Sequence, residues 1–186
     1  MGALQHIFKR AVTVFLLCGG ISQPIWAQEA TLEDLLAQLA DPATENWQQI
    51  ERQIRTEWSR SGSAAMDLLL QRGEEALEAS EFDVAFEHFS ALTDHAPDFA
   101  EGWNLRATAL FQQGYYGPAL EDLRRALALN PQHFGALTGL AVILQDTQLF
   151  DEALEVWHMV EAMHPHRPEM RQAIEALEQK VGGARL

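Results

Sequence analysis

The stretch "LNPQHFGAL", residues 129–137, decides the fold. It sets Pro131 directly after "EDLRRALAL", residues 121–129, whose apolar side chains recur at helical spacing. Thirty-four residues earlier, "HAPDFAEGW" places Pro97 at the same point, and thirty-four residues later "AMHPHRPEM" places Pro165 there. A proline disfavours helical geometry in the residue before it and cannot donate to a continuing helix. Each proline therefore ends one helix and lets the next unit begin.

The same shift aligns the rest of each unit. Gly73, Ala107 and Ala141 fall together, as do Ala85, Ala119 and Ala153. Leu69, Trp103 and Leu137 coincide, and Phe82, Tyr116 and Phe150 are all aromatic. Phe89, Leu123 and Trp157 are all large, and Leu92, Ala126 and Val160 stand five residues before the prolines. Every unit holds two apolar runs with steps of three and four, which predicts two amphipathic helices. Gly114 suits the left-handed turn that ends a helix, and Pro118 suits the first turn of the next. Asp83 and Asp151 are expected to cap their helices. The small residues are expected to let paired helices approach closely, with large neighbours filling the gaps. A fixed period in this range signals stacked repeats.

This pattern resembles the tetratricopeptide repeat, a two-helix unit of this length, over residues 66–99, 100–133 and 134–167. The family signature matches best at Trp103, Ala107, Leu110, Ala119, Leu123, Ala126 and Pro131. The chain departs from it at Ala76, where tyrosine is usual, and at Arg72 and Arg106, where leucine is usual. Those arginines are expected either to fray the packing or to mark an exposed edge. The implied fold is all-α, an α-solenoid of three helical hairpins with an N-terminal helical cap and a C-terminal cap helix.

Residues 28–65 form the expected N-terminal cap. Thr31 is a predicted N-cap for a helix carrying Leu32, Leu35, Leu36 and Leu39, and Pro42 breaks it. Trp47, Ile50, Ile54 and Trp58 form the stripe of a second helix. The pair is read as packing on the first unit, with a degenerate fourth repeat as the alternative. "SRSGS", residues 59–63, reads as a loop. Residues 168–186 supply Met170, Ile174, Leu177 and Val181 on one stripe, a helix expected to turn a polar face outward.

The first 27 residues read as a secretory signal peptide: Lys9 and Arg10, a short apolar run, and a small residue at Ala27 before the predicted cut. An uncleaved anchor is the alternative. Export to a periplasm is expected, and the chain is also similar to small secreted repeat proteins of Gram-negative bacteria. The formal charge is −14, and it becomes more negative once Lys9 and Arg10 are lost. Such acidity repels nucleic acid and anionic lipid. Cys18, the single cysteine, leaves with the leader, so packing alone must hold the fold.

Catalytic signatures are missing: no G-x-S-x-G, no phosphate loop and no H-E-x-x-H. His95, His133, His158, His164 and His166 read as loop and helix-end residues rather than metal ligands. The carboxylates read as solvated faces, and Trp47, Trp58, Trp103 and Trp157 as core. No enzyme, metal or cofactor is expected. The resemblance implies a concave face that receives a peptide or helix. Carried over by position, that face comprises Asp67, Leu70, Glu74 and Leu77, then Glu101, Asn104, Leu105, Thr108, Phe111 and Gln112, then Thr138, Val142 and Gln145. Glu78, Gly135 and Asp146 belong to the same carried-over face. A carboxylate-clamping version of the family uses lysines, an arginine and asparagines, but here those places hold Leu70, Glu74, Leu105, Gly135 and Gly139. The expected function is an exported adaptor for a protein or peptide segment, with basic partners favoured. The alternative is a structural subunit of an envelope assembly that uses its edges or convex face.

Overall fold

A computed structural model describes residues 30–184, so the predicted signal peptide lies outside the described residues. Nine α-helices and no strand occur among them. They are α1 (Leu32–Ala40), α2 (Trp47–Trp58), α3 (Ala64–Glu78), α4 (Phe82–His95), α5 (Ala100–Gln112), α6 (Tyr116–Leu129), α7 (Phe134–Asp146), α8 (Phe150–Met163) and α9 (Pro168–Ala184). The pairs α3/α4, α5/α6 and α7/α8 form antiparallel hairpins. Helices α5 and α7 also pack on the preceding hairpin, and α9 packs on α8.

The prolines stand at equivalent bends. Ala96, Asn130 and His164 close α4, α6 and α8 with φ between −149° and −130° and positive ψ, the geometry a following proline enforces. Their N–H groups donate to Leu92, Ala126 and Val160 carbonyls. Within each hairpin, Ser80, Gly114 and Gln148 take left-handed φ values of 59°, 79° and 63°. The N–H of the following residue reaches back to Ala76, Leu110 or Leu144, which satisfies helix-end carbonyls. The periodic sequence thus repeats its backbone turn by turn.

Burial follows the alignment. Ala85, Ala119 and Ala153 are fully buried, and Gly73, Ala107 and Ala141 face them from the partner helix. Each hairpin has its own apolar cluster, sharing residues with the next unit. Fully burying one such Leu, Phe or Ile contributes on the order of 2 kcal/mol, so stability accumulates along the stack.

Three expectations are corrected. Asp83 and Asp151 lie inside α4 and α8, not at their caps: Glu81 and Leu149 are the N-cap residues, neither with a side-chain cap bond. Both aspartates stand in the first turn, where negative charge suits the helix dipole. Arg106 neither frays packing nor marks an edge. Its guanidinium makes two 2.7 Å bonds to the Asp122 carboxylate, donates to Thr93 Oγ1 at 2.8 Å and lies over the Trp103 ring. It joins three helices, α4, α5 and α6. Arg72, by contrast, is exposed.

The third correction concerns the N-terminal hairpin, which does not cap the first unit. Helix α1 packs on α8, and the hairpin core of Leu35, Leu39, Ile50 and Ile54 takes in Phe134 from α7. The physical reason lies in α3. The side of α5 and α7 that stacks on a preceding unit carries Ala109 and Ile143, both buried. One period earlier α3 has exposed Glu75, hydrogen bonded to Gln71, with Arg72 beside it. That surface is mostly polar, with Leu68 its one large apolar side chain left exposed. Helix α9 shows the converse arrangement. Met170, Ile174 and Leu177 are buried on α8, while Arg171, Glu175 and Glu178 occupy the places of Leu137, Ala141 and Leu144 and face solvent. It is the leading helix of a fourth unit that has exchanged its second apolar face for a charged one.

Candidate functional site

The leading helices α5 and α7 bound a cleft of about 260 Å³. Thr108, Phe111 and Gln112 line one wall, and Gly135, Thr138, Gly139 and Val142 of α7 the other. A second cleft of about 290 Å³ adjoins it between α7 and α9, sharing Thr138 and Val142 and adding Gln145, Trp157, Arg167 and Glu169. Glycines at 135 and 139 leave the α7 backbone uncovered there. A Cβ at Gly135 would press on the His133 ring at 3.2 Å, and one at Gly139 would touch Leu123.

Six of the sequence-derived residues therefore converge: Thr108, Phe111, Gln112, Thr138, Val142 and Gln145. The others lie elsewhere. Leu70 is buried in the first hairpin core, and Leu77 and Leu105 pack against it. Asp67 holds Ser61 at the start of α3, accepting from both its N–H and its hydroxyl. Glu101 accepts a hydrogen bond from Asn104 at 3.1 Å and is 2.6 Å from His133 Nε2, so its carboxylate is engaged within the chain. Glu74 is half-buried near Glu101 and Glu78. Burial and then repulsion from these two neighbours push its carboxyl above the usual range.

The edge of this concave side is bridged by the α1–α2 hairpin. Trp58 stacks on His133 and tilts against Phe134, and Trp47 stacks on His166 and meets His164 edge-on. His166 Nε2 lies 3.0 Å from the Leu39 carbonyl. Ion pairs centre on Glu51. Arg55 and Arg167 both bond its Oε1, and His164 Nε2 lies 3.1 Å from Oε2. Burial pushes the Glu51 carboxyl up, but the hydrogen bonds from His164 and Arg55 and the charges of Arg167 and Arg55 outweigh it and hold the group at about 2. His133 is also the N-cap of α7: Nδ1 accepts from the Ala136 N–H, which places its proton on Nε2 facing Glu101.

His133 and His164 stand at helix ends as expected but are also buried tertiary contacts, and Trp47 and Trp58 are half-buried seams between the hairpin and the stack. A signal for this was present. Glu51 lies on the same helical stripe as Trp47, Ile50, Ile54 and Trp58, and a charge within an apolar stripe requires a buried partner. Sequence reasoning misses Arg167, Glu169 and Trp157 because the groove is carried over from leading helices of complete repeats, whereas these residues belong to α8, to the loop after it and to the start of α9.

Among the described residues no cluster of three His, Cys, Asp or Glu side chains is arranged to hold a metal, and no helix is long and apolar enough to cross a membrane.

Known proteins share this architecture. The first TPR domain of Spaghetti, bound to an HSP90 peptide, superposes with a TM-score of 0.61 at 20% identity, covering 63% of this chain and 93% of that one. The Sgt2 TPR domain from Aspergillus fumigatus gives 0.60 at 22% identity, covering 66% and 83%. The tetratricopeptide repeat profile matches residues 100–133, the unit with the fullest signature. A TPR repeat-containing protein of Rhizobium etli is 34% identical over 136 residues, 73% of this chain and 67% of that protein. Period, buried small residues, proline bends and this relative agree, and the chain belongs to the tetratricopeptide-repeat family.

Proposed function

We propose that this chain is a non-catalytic, exported scaffold that holds a peptide segment of another protein in the double cleft of α5, α7 and α9. The observation that carries the reading is the convergence of Phe111, Thr108, Thr138 and Val142 around half-buried glycine backbone. An apolar anchor seated between Phe111 and Val142 would supply affinity, and Gln112 and Gln145 could bond its main chain. Glu74 and Glu78, at the α3 end, favour a basic residue on that side of the peptide. The peptide-bound state of the Spaghetti domain supports this use of the fold. Export rests on the leader-like first 27 residues.

Photo-crosslinking from position 112 in intact cells, followed by mass spectrometry, tests the proposal. Gly139→Leu would fill the cleft with an apolar side chain and leave the charges untouched. Loss of the crosslinked partners in that variant, with retention in the remote surface variant Leu68→Ser, is expected. Identical partner sets in wild type and Gly139→Leu would reject the cleft as the binding surface, and an absence of leader cleavage in cells would reject export.

A further inference from the structure

Arg167 belongs to two structures at once. Its guanidinium bonds the Glu51 carboxylate of α2, and it lines the cleft between α7 and α9 opposite Thr138 and Val142. The hairpin that supplies Glu51 is tied to the stack at separated points: His133 and Phe134 after the second unit, and His164, His166 and Arg167 after the third. It therefore bridges the loops before α7 and before α9. Its attachment is mostly polar and aromatic, with Phe134 the buried aliphatic-core contact from the stack. A five-residue connection, 59–63, joins it to α3, with Gly62 at φ 80° in open space, a suitable hinge.

We infer that the α1–α2 hairpin is a releasable strap whose docking is coupled through Arg167 to what occupies the adjacent cleft. An anionic group placed in the cleft draws the guanidinium away from Glu51. Glu51 then keeps only Arg55, on its own helix, and His164. Arg167 bonds Glu51 from α2 and shares its cleft with Glu169 from α9, and the groups against Glu51 are Arg55, Arg167 and the His164 ring. Coupling between the two places is reciprocal, so a docked strap disfavours an anion in the cleft, and an undocked one admits it. The device concerns the chain alone and is tested without a ligand, so its failure leaves the peptide-binding proposal intact.

Hydrogen–deuterium exchange on the full chain decides it. Glu51→Gln, which removes the charge that Arg55 and Arg167 pair with, should accelerate exchange across residues 47–58 by about tenfold or more. Thr138→Glu, which sets a carboxylate on the cleft wall with its side chain leaning toward the start of α7, should do the same. The neutral isostere Thr138→Gln should leave α2 as in wild type. Amides of α4 and α6 report in the same spectra that each variant is folded. If Thr138→Glu is not folded, Val142→Glu against Val142→Gln repeats the test one turn along. Unchanged α2 exchange in the carboxylate variant overturns the coupling, and so does equal acceleration by its glutamine counterpart. Unchanged exchange in Glu51→Gln overturns the strap itself.

Discussion

A Cβ on Gly73 would stand 2.3 Å from Cε1 of Phe89, inside the ring's van der Waals surface. The equivalent pairs are Ala107 with Leu123 and Ala141 with Trp157, so the missing methyl in the first unit accommodates Phe89 at this contact. Phe89 is fully buried and cannot swing aside cheaply. Gly73→Ala is expected to destabilise by about 1–3 kcal/mol through overpacking. The double variant Gly73→Ala/Phe89→Leu should recover part of that loss. Urea denaturation of both singles and the double reads the coupling, and strict additivity would refute the clash.

Left-handed backbone recurs at Ser80, Gly114 and Gln148, yet glycine occupies only the middle place. A side chain there carries strain that glycine does not. Gln148→Gly is predicted to stabilise by roughly 0.5–1 kcal/mol, net of the added freedom of the unfolded chain, and Gly114→Ala to cost about 1 kcal/mol. Thermal melts of the two variants should move in opposite directions.

The Arg106–Asp122 pair is buried, with side chains 18% and 7% exposed. Arg106→Leu restores the residue usual for the family but strands the Asp122 carboxylate. It should cost about 3–5 kcal/mol, whereas Arg106→Leu/Asp122→Leu should come close to wild type. Chemical denaturation of singles and double measures this, and a mild effect in the single would show that water reaches Asp122.

Acid should act on the two ends of the concave side with opposite sign. Glu51 has a folded value of about 2 against an ordinary 4.5, so the unfolded state takes up the proton first. Its contribution is complete above about pH 4.5 and is lost as pH falls through about 2. Protection of α2 against exchange should decline across that window, and Glu51→Gln should flatten the decline. Glu74 is shifted upward, so the folded state takes its proton first, and stability is lost as pH rises through the folded value. Glu74→Gln should raise Tm at neutral pH and have little effect in acid, with a gain below about 1 kcal/mol because the site is half-exposed and screened.

The chain's sequence by itself determined the repeat: its length, its two helices, the proline bends and the buried alanines of each hairpin. That information is local, since helices in a solenoid pack on neighbours within one or two units and the period writes each contact three times. Tertiary structure alone decided where the first hairpin goes. Its bonds join Glu51 to His164 and Arg167, and Leu39 to His166, across 113 to 127 residues, each made once and with no period to reveal it. The same contrast divides the candidate site. The walls from α5 and α7 follow the repeat phase and were legible. Arg167 acquires its double role only because the hairpin docks away from α3 and finds partners for Glu51 at the far end of the stack.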